Sequence, residues 1–198
     1  MVTPSRETTS APHDDEAAHI RNALAGDLDA FNTLVELHQR AVFNLCLRMV
    51  GSQAAAEDAS QDAFISAYRN IRSFRGGSFR PWLMRIAANA CTDELRRRAR
   101  RPAISLDATP PGSDEPIDVP DASPGPGAFA LRAEEAARVQ AALLRLPEDQ
   151  RLAVVLCDMQ GYAYDEIAEV TRVSLGTVKS RIARGREKLR ALLLEGNK

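Results

Sequence analysis

The sequence predicts an all-α protein, built from two small helical domains joined by an extended, acidic, proline-rich linker. Apolar residues recur at steps of three and four on both sides of one long interruption, which is the spacing of amphipathic helices. The interruption, residues 102–127, holds seven of the eleven prolines and five acidic residues, with no Lys or Arg. Residues 165–194 have the pattern of a helix-turn-helix. We place the first domain at 14–101, the linker at 102–129 and the second domain at 130–198.

Two helices are predicted at the start of the first domain. Asp14 or Asp15 can cap a short helix. A longer helix is predicted from Asp29 to about Val50, because its apolar residues lie at helical spacing. Gly51 then suits the left-handed position that ends many helices.

A third helix is predicted from a cap at Ser52 to about Arg72. Its alanines form a narrow face that allows close helix packing. The opposite face carries acidic and amide side chains with one aromatic ring. Such a face is usually only solvated, but it can also dock a basic partner, and the residues alone leave both interpretations open. The side chains on this face are Glu57, Asp58, Gln61, Asp62 and Phe64.

A loop with two adjacent glycines, residues 73–78, separates this helix from a fourth, predicted from Phe79 to Arg100. Cationic and amide side chains lie off the apolar stripe of the fourth helix. An Arg-rich helix after an aromatic loop can bind a phosphate backbone, and Phe74 or Trp82 can support an unstacked base. Trp82 also suits a core position. The candidate DNA-binding side chains here are Phe74, Arg80, Trp82, Arg85, Asn89, Arg96 and Arg97.

Helical periodicity resumes in the second domain from Ala130 to Leu146. Pro147 fits the first turn of a new helix, which should run to Gly161, and the two acidic residues after it lie favourably beside the N-terminal dipole. The helix-turn-helix follows.

The helix-turn-helix is the strongest candidate for a DNA-reading element. Ser174 stands where the second helix needs an N-cap. Cations and hydroxyls at steps of three and four lie on one side of that helix, opposite its apolar stripe. Such a helix can enter a major groove and pair with guanine edges. An ordinary amphipathic helix with a solvated basic face is the alternative. The candidate residues are Thr177, Lys179, Ser180, Arg181, Arg184 and Lys188.

Composition narrows the possible classes of protein. The net charge of −1 hides a strong segregation, since ten arginines fall between residues 69 and 101. Two basic blocks separated by an acidic one are typical of a chain that touches nucleic acid at two places. Residues 1–13 are polar, and we expect a disordered tail with no targeting signal. No apolar run is long enough for a membrane helix, so no membrane insertion and a cytoplasmic location are expected.

The three cysteines are far apart in sequence and lie on apolar stripes. Cys46, Cys91 and Cys157 form no CxxC pair, so we expect buried thiols in a reducing compartment. We expect no metal, no cofactor and no catalytic site, because the residues that would form them are missing.

Three segments resemble a known family. They are AEDASQDAFISAYRNIRSF, FRPWLMRIAANACTDELRRR and LPEDQRLAVVLCDMQGYAYDEIAEVTRVSLGTVKSRIARGREKL. In this combination and order they are similar to the bacterial sigma factors of the extracytoplasmic-function type. The resemblance covers about residues 18–101 and 131–194.

The resemblance implies a role for each candidate face of the first domain. The helix with Asp58, Gln61, Asp62 and Phe64 matches the segment that docks on the clamp helices of core RNA polymerase. The loop at residues 74–79 matches the segment that captures a flipped base of the promoter −10 element. The cations of the fourth helix would then hold the −10 strand.

The resemblance also implies that the second domain reads the −35 element, with the polymerase flap as its support. Lys179, Ser180, Arg181 and Arg184 match the reading positions, and Thr177 matches a phosphate position. The 26 residues of the proline-rich stretch 102–127 can extend to roughly 85 Å at ~3.3 Å per residue. That length suits two elements two helical turns apart, which is ~70 Å. The implied partners are core polymerase, promoter DNA and an anti-sigma protein. The protein is expected to be a monomer when it is free of these partners.

Two other classes remain open from the residues. One is a conventional regulator that binds duplex DNA as a dimer, although nothing here resembles a dimerisation helix. The other is a helical adaptor without a DNA role. An enzyme has no residues to support it.

Overall fold

The computed structural model describes residues 12–100 and 126–195, and all regular secondary structure within these ranges is helical. The all-α prediction is confirmed. Most of the predicted tail, the linker segment 101–125 and residues 196–198 lie outside the described residues.

Four helices form the first domain. They are α1 (Pro12–Leu24), α2 (Leu28–Val50), α3 (Gln53–Asn70) and α4 (Phe79–Arg100). A single 3-10 turn at Ile71–Ser73 follows α3, where continuous α-helix to about Arg72 was predicted. Helix α1 begins at Pro12, earlier than the aspartates predicted to cap it.

Local sequence sets the ends of α2 and α3. The cap of α2 is Asp27, whose carboxylate accepts from the backbone N–H of Asp29 at 2.9 Å. Gly51 ends α2 in the left-handed region, with φ at 77°. Ser52 caps α3 as predicted, since its hydroxyl accepts from the Ala55 N–H at 3.5 Å.

The alanine face of α3 draws the first domain together. Ala56, Ala63 and Ala67 are completely buried, and α3 packs against both α2 and α4 along this face. Side chains this small let helix backbones approach closely, so the predicted narrow face is confirmed.

Four helices form the described part of the second domain. They are α5 (Pro126–Leu144), α6 (Glu148–Val154), α7 (Tyr164–Thr171) and α8 (Leu175–Glu195). Helix α5 begins at Pro126, inside the stretch predicted as linker. Helix α6 passes into a π-helical turn at Val155–Met159, where ordinary helix to Gly161 was predicted.

The two domains pack against each other, an arrangement that the sequence left open. Helices α5 and α6 lie on α2, and α7 lies on α4. Leu144 of α5 covers Gly51, where a β-carbon would overlap its side chain. The buried apolar residues of both domains form one continuous core.

Candidate nucleic-acid interface

A groove of about 710 Å³ runs between α3 and α4 and gathers part of the predicted DNA-binding set. Trp82, Arg85, Asn89 and Arg97 all line it. Arg69, which the sequence reasoning did not single out, lines it as well. Three acids, Asp62, Asp93 and Glu94, line it against four arginines, so the groove has a small cationic excess. A groove with a cationic excess and one aromatic wall is the kind of surface that tracks a single-stranded backbone.

The aromatic residues of the loop are packed into the first domain. Phe74, Phe79 and Trp82 form a cluster with ring centroids 5.3–5.6 Å apart, in edge and tilted geometries. Phe74 is 8% exposed and Trp82 is 7% exposed. In this arrangement Phe74 offers no free ring face for stacking. Trp82 is mostly buried, and only a small part of its side chain is exposed to the groove.

The loop between these rings has two glycines in backbone conformations that favour glycine. Gly76 and Gly77 have φ angles of 92° and 86°, in the region that side chains rarely adopt. A β-carbon at either position would meet open space, so the backbone angle alone selects glycine here.

Buried Glu94 organises the C-terminal part of α4. Its carboxylate accepts from Arg98 Nε at 2.8 Å and pairs with Arg97, although only 8% of the Glu94 side chain is exposed. Arg97 also lies 3.6 Å from Asp58. Arg96 pairs with Asp93 at 3.7 Å on the open surface. The structure thus joins a predicted DNA-binding arginine to a predicted polymerase-binding aspartate.

Arg80 and Arg85 face the second domain. Arg80 Nη2 donates to the Gln160 carbonyl at 2.8 Å, and its guanidinium lies 4.2 Å from the centre of the Tyr162 ring. Burial, and then the charge of Arg172, lowers the pKa of Arg85. Arg80 is therefore in the contact between domains, and Arg85 lies close enough to the second domain to feel the charge of Arg172.

The outer face of α3 is open. Asp58, Gln61 and Asp62 are exposed, and Phe64 is half-buried against the core. Two apolar side chains on this helix that sequence reasoning missed, Ile65 and Tyr68, are 41% and 43% exposed. Large apolar groups left in water beside acidic ones favour a protein-binding surface.

The turn of the helix-turn-helix is fixed by local bonds. Ser174 Oγ accepts from the Thr177 N–H at 3.2 Å and lies 2.9 Å from the Thr177 hydroxyl, so the predicted cap is confirmed. Arg172 ends α7 with a positive φ of 54°, where sequence patterns lead one to expect glycine or asparagine. Glu166 accepts from the Ala163 N–H at 2.8 Å and satisfies the start of α7.

Gly185 sets how closely α8 approaches α6. A β-carbon on Gly185 would lie 2.6 Å from Val154 Cγ2 and 3.2 Å from the Gln150 carbonyl oxygen. The helix backbone itself is in contact with α6 at this point. A glycine in the middle of a helix lowers the stability of that helix, so its presence usually has a packing reason. Gly185 was therefore the signal in the sequence that another element approaches α8 closely.

The predicted reading face of α8 divides in two. Lys179, Ser180, Arg184 and Lys188 are exposed, and the Ser180 hydroxyl donates to the Thr177 carbonyl at 2.9 Å. Arg181 instead turns toward α6, with Nε 3.0 Å from Asp149 and its side chain 26% exposed.

A further ion pair on α8 was not found from the sequence. Arg186 Nε donates to Asp158 Oδ2 at 3.0 Å, a link between α8 and the π-helical turn. The Arg186 side chain lowers the pKa of Asp158 by hydrogen bonding. The two partners are 28 positions apart, so no local pattern reveals the pair.

Comparisons with known proteins match both parts of this arrangement. The sigma-70 region 2 family matches residues 34–101, and the sigma-70 region 4 family matches residues 136–189. The chain is 41% identical over 178 residues to the ECF RNA polymerase sigma factor SigM of Mycobacterium tuberculosis, with 89% of this chain and 82% of SigM covered. The chain belongs to the extracytoplasmic-function sigma factors.

Another relative of this sigma factor is longer than the chain. The ECF RNA polymerase sigma factor SigE of Mycolicibacterium smegmatis is 40% identical over 166 residues. The match covers 84% of this chain but 62% of SigE, so the chain spans less than two thirds of that relative.

A solved structure shows the same fold. The sigma factor RpoE of Bartonella quintana, crystallised with the anti-sigma factor NepR, matches with a TM-score of 0.64 and 26% identity. The match covers 84% of this chain and 98% of RpoE.

The remaining sequence expectations concern thiols, metals and membranes. Cys46 and Cys91 are buried, as expected, and the adjacent Cys46 thiol together with burial raises the pKa of Cys91. Cys157 is only half-buried, which corrects the expectation for that residue. Across residues 12–100 and 126–195, no cluster of three or more metal-ligating side chains occurs. None of the helices described is both long and apolar enough to cross a membrane.

Proposed function

We propose that this sigma factor binds core RNA polymerase and directs transcription initiation at promoters that it recognises by a duplex −35 element and a melted −10 element. The observation that carries the proposal is the exposed, capped cationic helix α8 in the same chain as the cationic groove of α4. The first suits a major groove and the second suits a single strand. Membership of the family supports the pairing of these tasks.

The outer face of α3 is proposed to dock on the polymerase clamp. Asp58, Gln61 and Asp62 supply exposed polar and acidic groups, and Phe64 adds part of an apolar surface. Tyr68 and Ile65 extend that surface along the helix. A rim of acids around partly exposed apolar groups fits a partner helix with basic side chains.

The groove of α4 is proposed to hold the −10 strand. Arg85, Asn89 and Arg97 line it with donors along one side of α4, with the acid Asp93 between Asn89 and Arg97. Arg96 and Arg80 would act at its two ends. Phe74 and Trp82 would support an extruded base when the glycine loop moves, since a flipped base needs both a pocket and a stacking surface.

Helix α8 is proposed to read the −35 duplex, with the second domain seated on the polymerase flap. Lys179, Ser180 and Arg184 face outward and would meet base edges or phosphates, with Lys188 further along the backbone. Thr177 would contact a phosphate beside the cap. Arg181 is proposed to act indirectly, by holding α8 against α6 through Asp149.

An anti-sigma protein is proposed as the regulator. Support comes from the matching RpoE structure, which contains the anti-sigma factor NepR. The protein is proposed to carry no catalytic site or cofactor, so that the polymerase performs the chemistry. It is proposed to act in the cytoplasm as a monomer until it meets these partners.

The direct test is transcription by purified core RNA polymerase, with and without the protein, on a pool of genomic promoter fragments. We expect new start sites that share −35 and −10 elements. A charge reversal, Asp62→Lys, should abolish co-elution with core polymerase, whereas the control Glu134→Lys, on exposed α5, should not. Failure to co-elute with polymerase, together with a dimeric footprint on a palindrome, would instead establish a conventional duplex-binding regulator.

A further inference from the structure

The contact between the two domains is specific and polar as well as apolar. Gln140 of α5 donates to the Leu47 carbonyl at 3.2 Å and accepts from Arg48 Nη1 at 2.9 Å. Gln160 donates to the Ala41 carbonyl at 3.0 Å. We call the residues of this contact the seam.

Arg151 is the buried centre of the seam. Only 6% of it is exposed, yet it carries a guanidinium. It donates to the Met49 carbonyl at the end of α2, to the Leu144 carbonyl at the end of α5, at 3.1 Å, and to the Leu146 carbonyl in the turn that follows, at 3.2 Å. Carbonyls at helix C-termini lack partners within their own helices and carry partial negative charge. One cation therefore satisfies two helix ends that belong to different domains.

The seam also engages Arg80, a residue proposed to hold the −10 strand. The Gln160 carbonyl accepts from Arg80, and the Tyr162 ring lies under its guanidinium. These are the two kinds of contact that a nucleic acid offers to arginine: an acceptor oxygen and a π-face. A π-helical turn, a rare element that often marks functional positions, directly precedes Gln160.

The packed arrangement is too compact for simultaneous reading of both promoter elements. Helix α7 packs on α4, and α8 packs on α7. Packed helix axes are ~8–10 Å apart, so α8 and α4 are separated by on the order of 20 Å. The two elements would be ~70 Å apart on duplex DNA. The domains must separate before both are bound.

We propose that the free protein is closed at the seam, and that the second domain and the −10 strand compete for Arg80. The closed state thereby withholds a DNA-binding side chain without any second protein. This inference rests on the proposed function for the identity of the strand, but the closure itself does not.

The test uses the full chain and the double variant Gln140→Ala/Gln160→Ala. The hydrogen bonds described for both side chains run only to the first domain, so their loss weakens the seam while leaving each domain's own contacts in place. The control is Gln39→Ala/Gln53→Ala, two exposed glutamines away from the described seam bonds. If the double variant misfolds by circular dichroism, Arg48→Ala removes the same link from the other side.

Two measurements are compared. Small-angle X-ray scattering should give a larger radius of gyration for the seam variant than for the natural protein or the control. Fluorescence anisotropy with a single strand carrying a −10 element mapped in the transcription experiment should show binding tightened about 3- to 10-fold, because a larger fraction of the protein is open. Adding Arg80→Ala to the seam variant should remove that gain.

Each result decides one part of the proposal. Equal radii for the natural protein and the seam variant would overturn closure. A larger radius with unchanged strand affinity would overturn the competition for Arg80. If neither protein supports transcription, so that no −10 element can be mapped, while the radii still differ, the proposed function fails and closure stands.

Discussion

The two cationic faces of this sigma factor differ in how far their charges are already engaged. On α8, Lys179, Arg184 and Lys188 are exposed, and none of the ion pairs found among the described residues includes them. On α4, Arg97 is paired with acids and Arg80 is held by the second domain.

The difference corresponds to the two kinds of DNA that the faces are proposed to bind. A duplex presents a rigid groove that a preformed helix can enter without change. A melted strand requires bases to unstack at a cost of a few kcal/mol, and its binding site can be completed during that step. On the proposed function, the α8 surface is already open for binding, whereas the α4 surface must first be released.

The largest expected effect tests the rigid placement of α8. Gly185→Ala puts a β-carbon 2.6 Å from Val154 Cγ2, and overpacking of this kind costs about 1–3 kcal/mol. We expect a lower free energy of unfolding in denaturant titrations and weaker binding to −35 duplex. The matched control is Gly176→Ala, whose β-carbon has only Ser174 Oγ nearby, at 3.9 Å. If Gly185→Ala is as stable as the natural protein, close helix contact does not fix α8.

The next prediction compares one arginine from each face. Arg184→Ala should lower −35 duplex affinity by about 1–3 kcal/mol and leave thermal stability unchanged, since the side chain is exposed. Arg97→Ala should weaken strand binding less, because Arg97 must first leave Glu94 and Asp58. Anisotropy titrations on both DNAs measure the two losses. Equal losses would remove the distinction between the faces.

A smaller effect is expected at Arg181, which the structure turns away from the exposed face. A double-mutant cycle with Arg181→Ala and Asp149→Ala should give a coupling free energy below about 1 kcal/mol, as for partly exposed ion pairs. Asp149→Ala should also reduce −35 binding slightly, although Asp149 lies outside the predicted reading residues. If Asp149→Ala changes neither stability nor binding, Arg181 does not act through Asp149 and would instead contact the −35 duplex directly.

The smallest effect is a dependence on acid pH. Arg186 lowers the pKa of Asp158 below its ordinary value of 3.8 in the folded state. The ion pair therefore contributes fully above pH 3.8, and its contribution is lost as the pH falls through the lower folded value. Asp158→Asn should remove this part of the acid loss of stability, by less than about 1 kcal/mol because both side chains are solvated. Thermal melts of the two proteins between pH 5 and pH 2.5, at ~0.1 M salt, give the comparison.

Much of the fold follows from local sequence. Helix periodicity places α2, α3 and α4 within a few residues of their bounds, because an amphipathic stripe is written into consecutive residues. Ser52, Gly51 and Ser174 define ends by bonds to groups three or four residues away. The difference at α2 is one residue, because Asp27 caps the helix just ahead of the predicted start, and the larger difference is the π-helical turn that follows α6.

The sequence by itself thus determined the all-α class, the order of the helices, the capped turn before α8 and the side of α8 that faces solvent. These are set by interactions within one or two helical turns. Tertiary structure decided which cations are free. Arg80, Arg97 and Arg181 resemble Arg184 in sequence, yet each has a partner in another element or loop. A charge's availability depends on what packs beside it in space, and the closure of one domain on the other through Arg151 is a property that no single segment contains.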